Sequence, residues 1–387
     1  MEWSIIRLPT MTNDQETSMP DLYTTVRAAV TEAAGISVNA TLAALAGSRH
    51  VLPPTYADAP HKHNMTEPDA HGVAAWVSID SAASFANRME DQLKRADFGL
   101  DPLRVHVAGR TLSTLQIPHR AYDAILRDSS LNGESFRNTA IGQAVIAACP
   151  ADASALLRYD PAVLLFGGWD STQTGQRTNS GSKWPACVSV EICGGNALLV
   201  QRAGNRMDPL GMEGSAQDIV EEADGTWRLA LKADEKIPAK TAKAKDTFPR
   251  RVKPSEINHG NALSLDPKGV LVEEIKLSGA LSLTRLRRYR FGGTAEQDIA
   301  ARTALALMGI YGIAAVIEDG LDLRRDCELV ADSVAWAIRG TGSSEPLAVT
   351  VADARQALER ALADIDLASP VLFTADHNLE QLIARSR

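Results

Sequence analysis

Three stretches concentrate cations, amides and aromatic rings at spacings that suit holding a polyanion. Lys253-Pro254-Ser255-Glu256-Ile257-Asn258-His259-Gly260-Asn261 joins an ammonium, a hydroxyl, two amides, an imidazole and a flexible glycine. Such a loop can meet phosphate, ribose and base edges together; an ordinary Asn/Gly turn is the plainer alternative. Leu286-Arg287-Arg288-Tyr289-Arg290-Phe291 interleaves cations with rings. Read as a strand, it sets Arg288 and Arg290 on one face and Arg287, Tyr289 and Phe291 on the other. A base stacked on such a ring gains about 1–3 kcal/mol, whereas a charge-guarded sheet edge has the same composition. Pro118-His119-Arg120 opens an expected helix in which His119, Asp123 and Arg127 share a face. Asp123 and Arg127 are spaced there for an ion pair, and Arg137 follows shortly. A solvated, salt-bridged face accounts for this third cluster as well.

The spacings of common catalytic sites are missing. A phosphate-cradling P-loop needs four residues between its glycines and a lysine directly after the second. Here five residues separate Gly175 from Gly181, and Ser182 stands before Lys183. His61, His63 and His71 have no cysteine or carboxylate pair at zinc-like spacing, so they read as solvated loop histidines. Neither a G-x-S-x-G elbow nor an H-E-x-x-H helix occurs. The expectation is a chain without catalytic residues, metal or cofactor.

The elements that must position the clusters follow from periodicity. Asp21–Ala34 is expected as a helix capped by Asp21, and Ser81–Ala96 as another, with Phe85, Met89 and Leu93 inward and Arg88 outward. Val73–Ile79 and Leu103–Val107 read as strands. Helices are expected at His119–Arg127 and Glu134–Ala148, around the turn Ser130-Leu131-Asn132-Gly133. Ala162–Phe166 is an apolar run of strand length, and Cys187–Ile192 and Ala197–Gln201 look like neighbouring strands. Val270–Leu277 and Ala280–Leu286 suggest a strand pair before a mostly buried helix at Glu296–Ile317. A strand at Leu347–Val351, a helix at Asp353–Ile365, a strand at Val371–Thr374 and a short helix close the order. Gly167–Lys183 and Leu231–Pro254 are expected as long loops, the second of them basic. Strands and helices mix without strict alternation, so the class is α+β.

The 387 residues are 45% apolar and 23% charged, as in a packed globular protein. The longest apolar run, Ile310–Ile317, falls well short of the roughly 20 residues of a membrane helix. The opening MEWSIIRLPTMTNDQETSMP lacks the pattern of a signal peptide. Cys149, Cys187, Cys193 and Cys327 form neither a C-x-x-C pair nor a dense disulfide framework. A cytoplasmic location with no membrane partner is expected. Net charge is −8, from 40 basic and 48 acidic residues. Residues 318–387 hold 13 acids and 7 cations, or −6, which leaves −2 for the other 317. Ala230–Lys253 carries eight Lys or Arg against three acids, and 29 of the 40 cations are arginines. Arginine suits bidentate phosphate contacts, although a GC-rich genome gives the same bias. Charge permits a nucleic-acid partner without requiring one.

In this order, the clusters resemble a known family: the RAMP-type backbone subunit, of the Cas-seven type, of type I-G (formerly I-U) CRISPR effector complexes (Cascade). The matching segments are VLPPTY (51–56), SIDSAASFANRMEDQL (78–93), IPHRAYDAILRDSSLNGESFRNTAIG (117–142), PAVLLFGGWDS (161–171), KPSEINHGN (253–261) and LSLTRLRRYRF (281–291). KPSEINHGN and FGGWDS are the most specific, since neither is a generic structural motif.

The resemblance implies a modified RNA-recognition-motif (ferredoxin-like) palm over residues 1–387. Finger and thumb insertions would fall at 167–183 and 231–261, and 318–387 would be an acidic C-terminal extension packed on the palm. It implies further copies polymerising along one CRISPR RNA, which pairs with a target DNA strand. A large subunit and a fused guide-processing subunit would complete the complex, with a helicase–nuclease recruited on target binding. On this reading RNA contacts are expected from Lys253, Ser255, Asn258, His259 and Asn261, from Arg287, Arg288 and Arg290, and from His119, Arg120 and Arg137. Lys183 and Arg88 are further candidates. Two other readings stay open. One is a type III-like backbone that cuts target RNA with a loop carboxylate such as Asp58 or Asp170. The other is a structural or binding protein with no nucleic-acid partner.

Overall fold

In the computed structural model the described residues are 21–386, without 56–63, 171–182, 202–203, 216, 241–246, 261 and 265–266. Asn261, Asp58, His61, His63 and most of the 167–183 loop therefore lie outside them. Helices mix with mainly antiparallel sheets, so the chain is α+β, as expected. Two compact units form. The first contains the described residues up to Arg49, Ser78–Gly195 and Glu273 onward; the second is made of His50–Val77 and Asn196–Val272.

The first unit is organised on an antiparallel sheet with strands in the order Leu321–Arg324, Cys327–Arg339, Gly35–Ala44, Glu274–Ser282 and residues 188–195 of Val188–Gln201. Alternation sorts its faces: Ile36, Val38, Ala40, Leu42, Ile275, Leu277 and Leu281 are buried on one side. Val38, Gly279 and Val190 form one cross-strand row. A Cβ at Gly279 would stand 2.6 Å from Val38 Cγ1 and 2.8 Å from Val190 Cγ2, so its absence lets the two valines close up. The other face of these central strands carries Ser37, Asn39, Thr41, Lys276, Ser278, Ala280, Ser189 and Glu191, short or flexible side chains with no ring among them.

The helix Ala295–Glu318 covers the apolar face. Thr294 and Gln297 cap it reciprocally, and 18 of its 24 residues are buried. Gly309 comes against Leu281 and Leu165, and Gly312 against Met89, because small residues let the backbones approach. This corrects the hydropathy reading. By length and composition the helix could cross a membrane, yet 94% of its most apolar window is buried inside the protein. Arg302, Thr303 and two glycines interrupt the run, which hid the segment from a search for uninterrupted apolar residues.

Several expected elements change form. Ala162–Phe166 is not a strand but the buried helix Pro161–Phe166, with proline at its first position; a short run buried all round has no period to separate the two. Cys187–Ile192 and Ala197–Gln201 are one strand, Val188–Gln201. Val270–Leu277 and Ala280–Leu286 do not pair with each other. Glu274–Ser282 runs through both, and Leu283–Leu286 turns helical under the Ser282 cap. The helix expected at His119–Arg127 breaks at Asp123, whose carboxylate accepts the N–H groups of His119 (3.0 Å) and Ile125 (2.9 Å). Arg127 pairs with Asp128 instead of Asp123. Only Ala140–Ala147 of Glu134–Ala148 is α-helical. Glu134–Ser135 pairs with Ser129–Leu131 across Asn132 and Gly133, both left-handed.

The acidic stretch after residue 318 is built into the sheets of this unit. Cys327–Arg339 pairs with Gly35–Ala44, and Val371–Ala375 runs parallel to Leu103–Val107 in a second, five-stranded sheet. Taken by itself, the second unit has a three-stranded sheet of Trp227–Leu229, Ile219–Glu221 and Arg250–Val252. It also has the pair Gly204–Arg206 with Ala262–Ser264, and Pro267–Leu271 beside His50–Val51.

Candidate nucleic-acid interface

In the first unit, Gly168–Trp169 pairs with Lys183–Trp184 as a two-stranded ribbon at the two ends of residues 171–182. Its glycines are required by geometry. Gly167 has φ +88°, and a Cβ there would stand 2.7 Å from the Trp184 carbonyl oxygen. Gly168 lies against the Tyr122 ring, which a Cβ would approach to 2.9 Å. Trp184 is buried; its indole N–H donates to Tyr122 Oη at 2.9 Å, and its ring meets Tyr289 edge-on at 5.3 Å. Trp169 is 55% exposed, with Lys183 Nζ 5.6 Å from the centre of its ring.

Beneath the ribbon lies a charged network. Arg120 is buried, grips both oxygens of Glu90 at 2.6 and 2.9 Å, and donates to the Gly167 carbonyl at 3.0 Å. Burial pushes Glu90 up to about 7, against the pull of the Arg120 guanidinium. Asp160, fully buried, accepts the Ala121 N–H at 2.7 Å and is pushed up to about 7 by the same desolvation. Arg137 holds both oxygens of buried Asp170 at 2.8 and 2.7 Å, directly after the ribbon's Trp169. His119 is exposed at the head of this segment.

The arginine run divides by role, and it is not a strand: it continues from the turn that ends Leu283–Leu286. Arg287 donates to the carbonyls of Val30 (3.1 Å) and Ala33 (2.7 Å), closing the C-terminal end of the helix Leu22–Glu32. Arg290 pairs with Asp298 at 2.7 Å while its side chain stays 60% exposed. Arg288 is exposed and makes no side-chain hydrogen bond or ion pair among the described residues. Tyr289 is buried, so the ring offered for stacking by its sequence position belongs to the core. Arg88 binds Asp80 at 3.1 Å and the carbonyls of Asp322 and Leu323.

In the second unit, Pro254–Ile257 forms one 3₁₀ turn and Asn258 follows in the left-handed region. Lys253 Nζ meets Asp218 Oδ1 at 2.9 Å, and the Ser255 N–H donates to the Gly214 carbonyl at 3.0 Å. His259 stands edge-on to Trp227, centroids 5.5 Å apart. The structure thus gathers Arg120, Arg137 and Lys183 around one ribbon, and Trp184 links that ribbon to the 285–290 turn through Tyr289. Sequence reasoning passed over Trp169 and Trp227. The available signal was a tryptophan between glycine or threonine and a polar residue, outside any apolar period.

Residues 36–198 match the family described as CRISPR-associated protein GSU0053. The match covers 163 of the 387 residues, and over that segment the chain is similar to a CRISPR-associated protein. It supports a role in CRISPR defence and the setting of an effector complex. The matched segment contains the ribbon, Arg88, His119, Arg120, Arg137 and Lys183; the 253–261 and 287–290 clusters lie beyond it. Comparison with curated proteins finds no match.

Proposed function

We propose that this chain is a backbone subunit that coats a CRISPR RNA in a type I effector complex and presents it for pairing with target DNA. The observation that carries the reading is the ribbon: an exposed tryptophan beside a lysine, inside the segment matched by a CRISPR-associated family. A ring for bases and cations for phosphates is the chemistry of sequence-independent single-strand binding. Sequence is then read by the guide, and the protein holds its backbone. Arg288, and Arg290 with most of its side chain exposed, add cations in the same unit. The type I-G assignment, an RNA-recognition-motif palm, stacked copies, a large subunit, a fused guide-processing subunit and a separate helicase–nuclease rest on the family resemblance. Asp170 is buried in an ion pair with Arg137, which favours holding over cutting.

The test is co-expression with and without a CRISPR RNA, followed by particle mass and the ultraviolet absorbance ratio of nucleic acid to protein. Mass that steps with guide length is expected. A protein that stays free of RNA in both preparations would sink the proposal. Adding complementary RNA and a divalent cation to the particle should leave that RNA intact; regularly spaced products would mean a nuclease.

A further inference from the structure

The second unit, taken by itself, contains an apolar pocket of about 230 Å³. It is lined by Ile219, Trp227 and Leu229 of the unit's three-stranded sheet and by Pro254, Ile257 and His259. We infer that this pocket holds one unstacked nucleobase of the bound RNA, an inference that rests on the RNA-coating reading. Trp227 and Leu229 sit on one face of their strand, 47% and 56% exposed, while Arg228 between them turns to Asp234. Leaving a tryptophan and a leucine so open costs apolar hydration unless something covers them.

Three features select a base as the occupant. The pocket falls below the roughly 300 Å³ at which drug-sized sites begin, so it suits one ring system. Its two rings stand 66° apart with centroids at 5.5 Å, so a flat heterocycle can stack on one and meet the other edge-on. Glu213 and Gln217 line the same cavity and supply acceptors and donors for a base edge. Cations also stand on its flank: Asp218, between Gln217 and Ile219, is shared by Lys253 at 2.9 Å and Arg251 at 3.4 Å. Lys253 and Arg251 thus stand beside the pocket, where a cation can meet the phosphate attached to a bound base.

The walls are fixed in advance. The Asp208 carboxylate accepts the N–H groups of Leu210 (2.8 Å) and Met212 (3.4 Å) on one segment and of Gly260 (2.9 Å) on the other. Gly260 has φ +87°, and a Cβ there would stand 2.6 Å from the Gly214 backbone. Only glycine lets the His259 loop close on the 208–214 segment.

The test uses the full chain and two single-stranded RNAs of equal length, one intact and one abasic. W227A should weaken binding of intact RNA about 5- to 150-fold, the range of one base–aromatic stack. It should leave the abasic RNA unchanged, and W227F should restore most of the loss. Equal weakening on both RNAs would overturn the pocket. A lower mass of the RNA-free protein in W227A would make the patch a contact between copies, and would also overturn it. If the wild-type chain binds neither RNA, the coating reading fails, and adenosine alone decides the pocket. Fluorescence quenching by adenosine that is lost in W227A and kept in W169A sustains it; no quenching removes it.

Discussion

At the scale of single residues, exposure separates cations that hold the fold from those able to hold RNA. Arg287 and Arg288 are neighbours with opposite assignments. R287A removes a charged donor from two backbone carbonyls and is expected to lower stability by about 1–3 kcal/mol. R288A should leave thermal unfolding unchanged and weaken RNA binding; a shift in unfolding with R288A and none with R287A would reverse the assignment. Trp169 and Lys183 are open to solvent on the ribbon. W169A should cost about 1–3 kcal/mol of RNA affinity per protomer. K183A should reduce the slope of log affinity against log salt by roughly 0.7, one phosphate's share on a single strand. An unchanged slope would show that Lys183 touches no phosphate.

At the scale of elements, the ribbon is held from below by a network joining the helix Ala82–Ala96, the turn Arg120–Tyr122 and the helix Pro161–Phe166. R120A strands Glu90 in the core and releases the Gly167 carbonyl; a loss of about 3–5 kcal/mol is expected in chemical denaturation. Arg120 therefore acts on the ribbon's position, and contact with RNA is left to its exposed neighbours. Asp160 gives the fold a pH dependence. Its ordinary value of 3.8 is raised to about 7 in the native state. Between those values the native chain keeps a proton that the unfolded chain has released, so stability falls as pH rises through that window and is largest below it. In D160N Asp160's share of this slope should disappear and that of Glu90 remain, so the variant's melting temperature relative to wild type should climb from pH 4.5 to 7.5. A constant difference across that range would show that Asp160 is ionised in the native protein.

At the scale of the whole molecule, charge is spread unevenly. Residues 318–387 carry −6 of the net −8, yet they are strands and helices of the first unit's own sheets. Many of those acids serve the fold, as Asp319 does with Arg95 and Asp366 with Arg158. Glu328 and Asp332 instead point outward from Cys327–Arg339. If copies stack head to tail, acidic and basic faces of successive protomers meet, and contacts that do not close into a ring give an open filament. E328Q combined with D332N should shorten RNA-bound particles while monomer unfolding stays the same. Unchanged particle length would remove these acids from the contact.

Short-range physics was legible in the residue order. The cap at Asp21 and the amphipathic helix Ala82–Ala96 follow from neighbours a few positions apart, whereas the alternating strand Gly35–Ala44 at the centre of the sheet went unread. The concentration of cations was legible too, and so was the FGGWDS block, whose glycines proved to be demanded by close packing against Tyr122 and Trp184. The sequence by itself determined the α+β class, these local elements and the inventory of groups able to meet a polyanion. Tertiary structure decided which of them are open to do so. Arg120 and Arg287 differ from Arg288 in nothing visible locally; each is taken up by carbonyl or carboxylate partners 30 to 257 residues away. Periodicity has no reach over that distance, because burial and ion-pair partners are set by long-range packing.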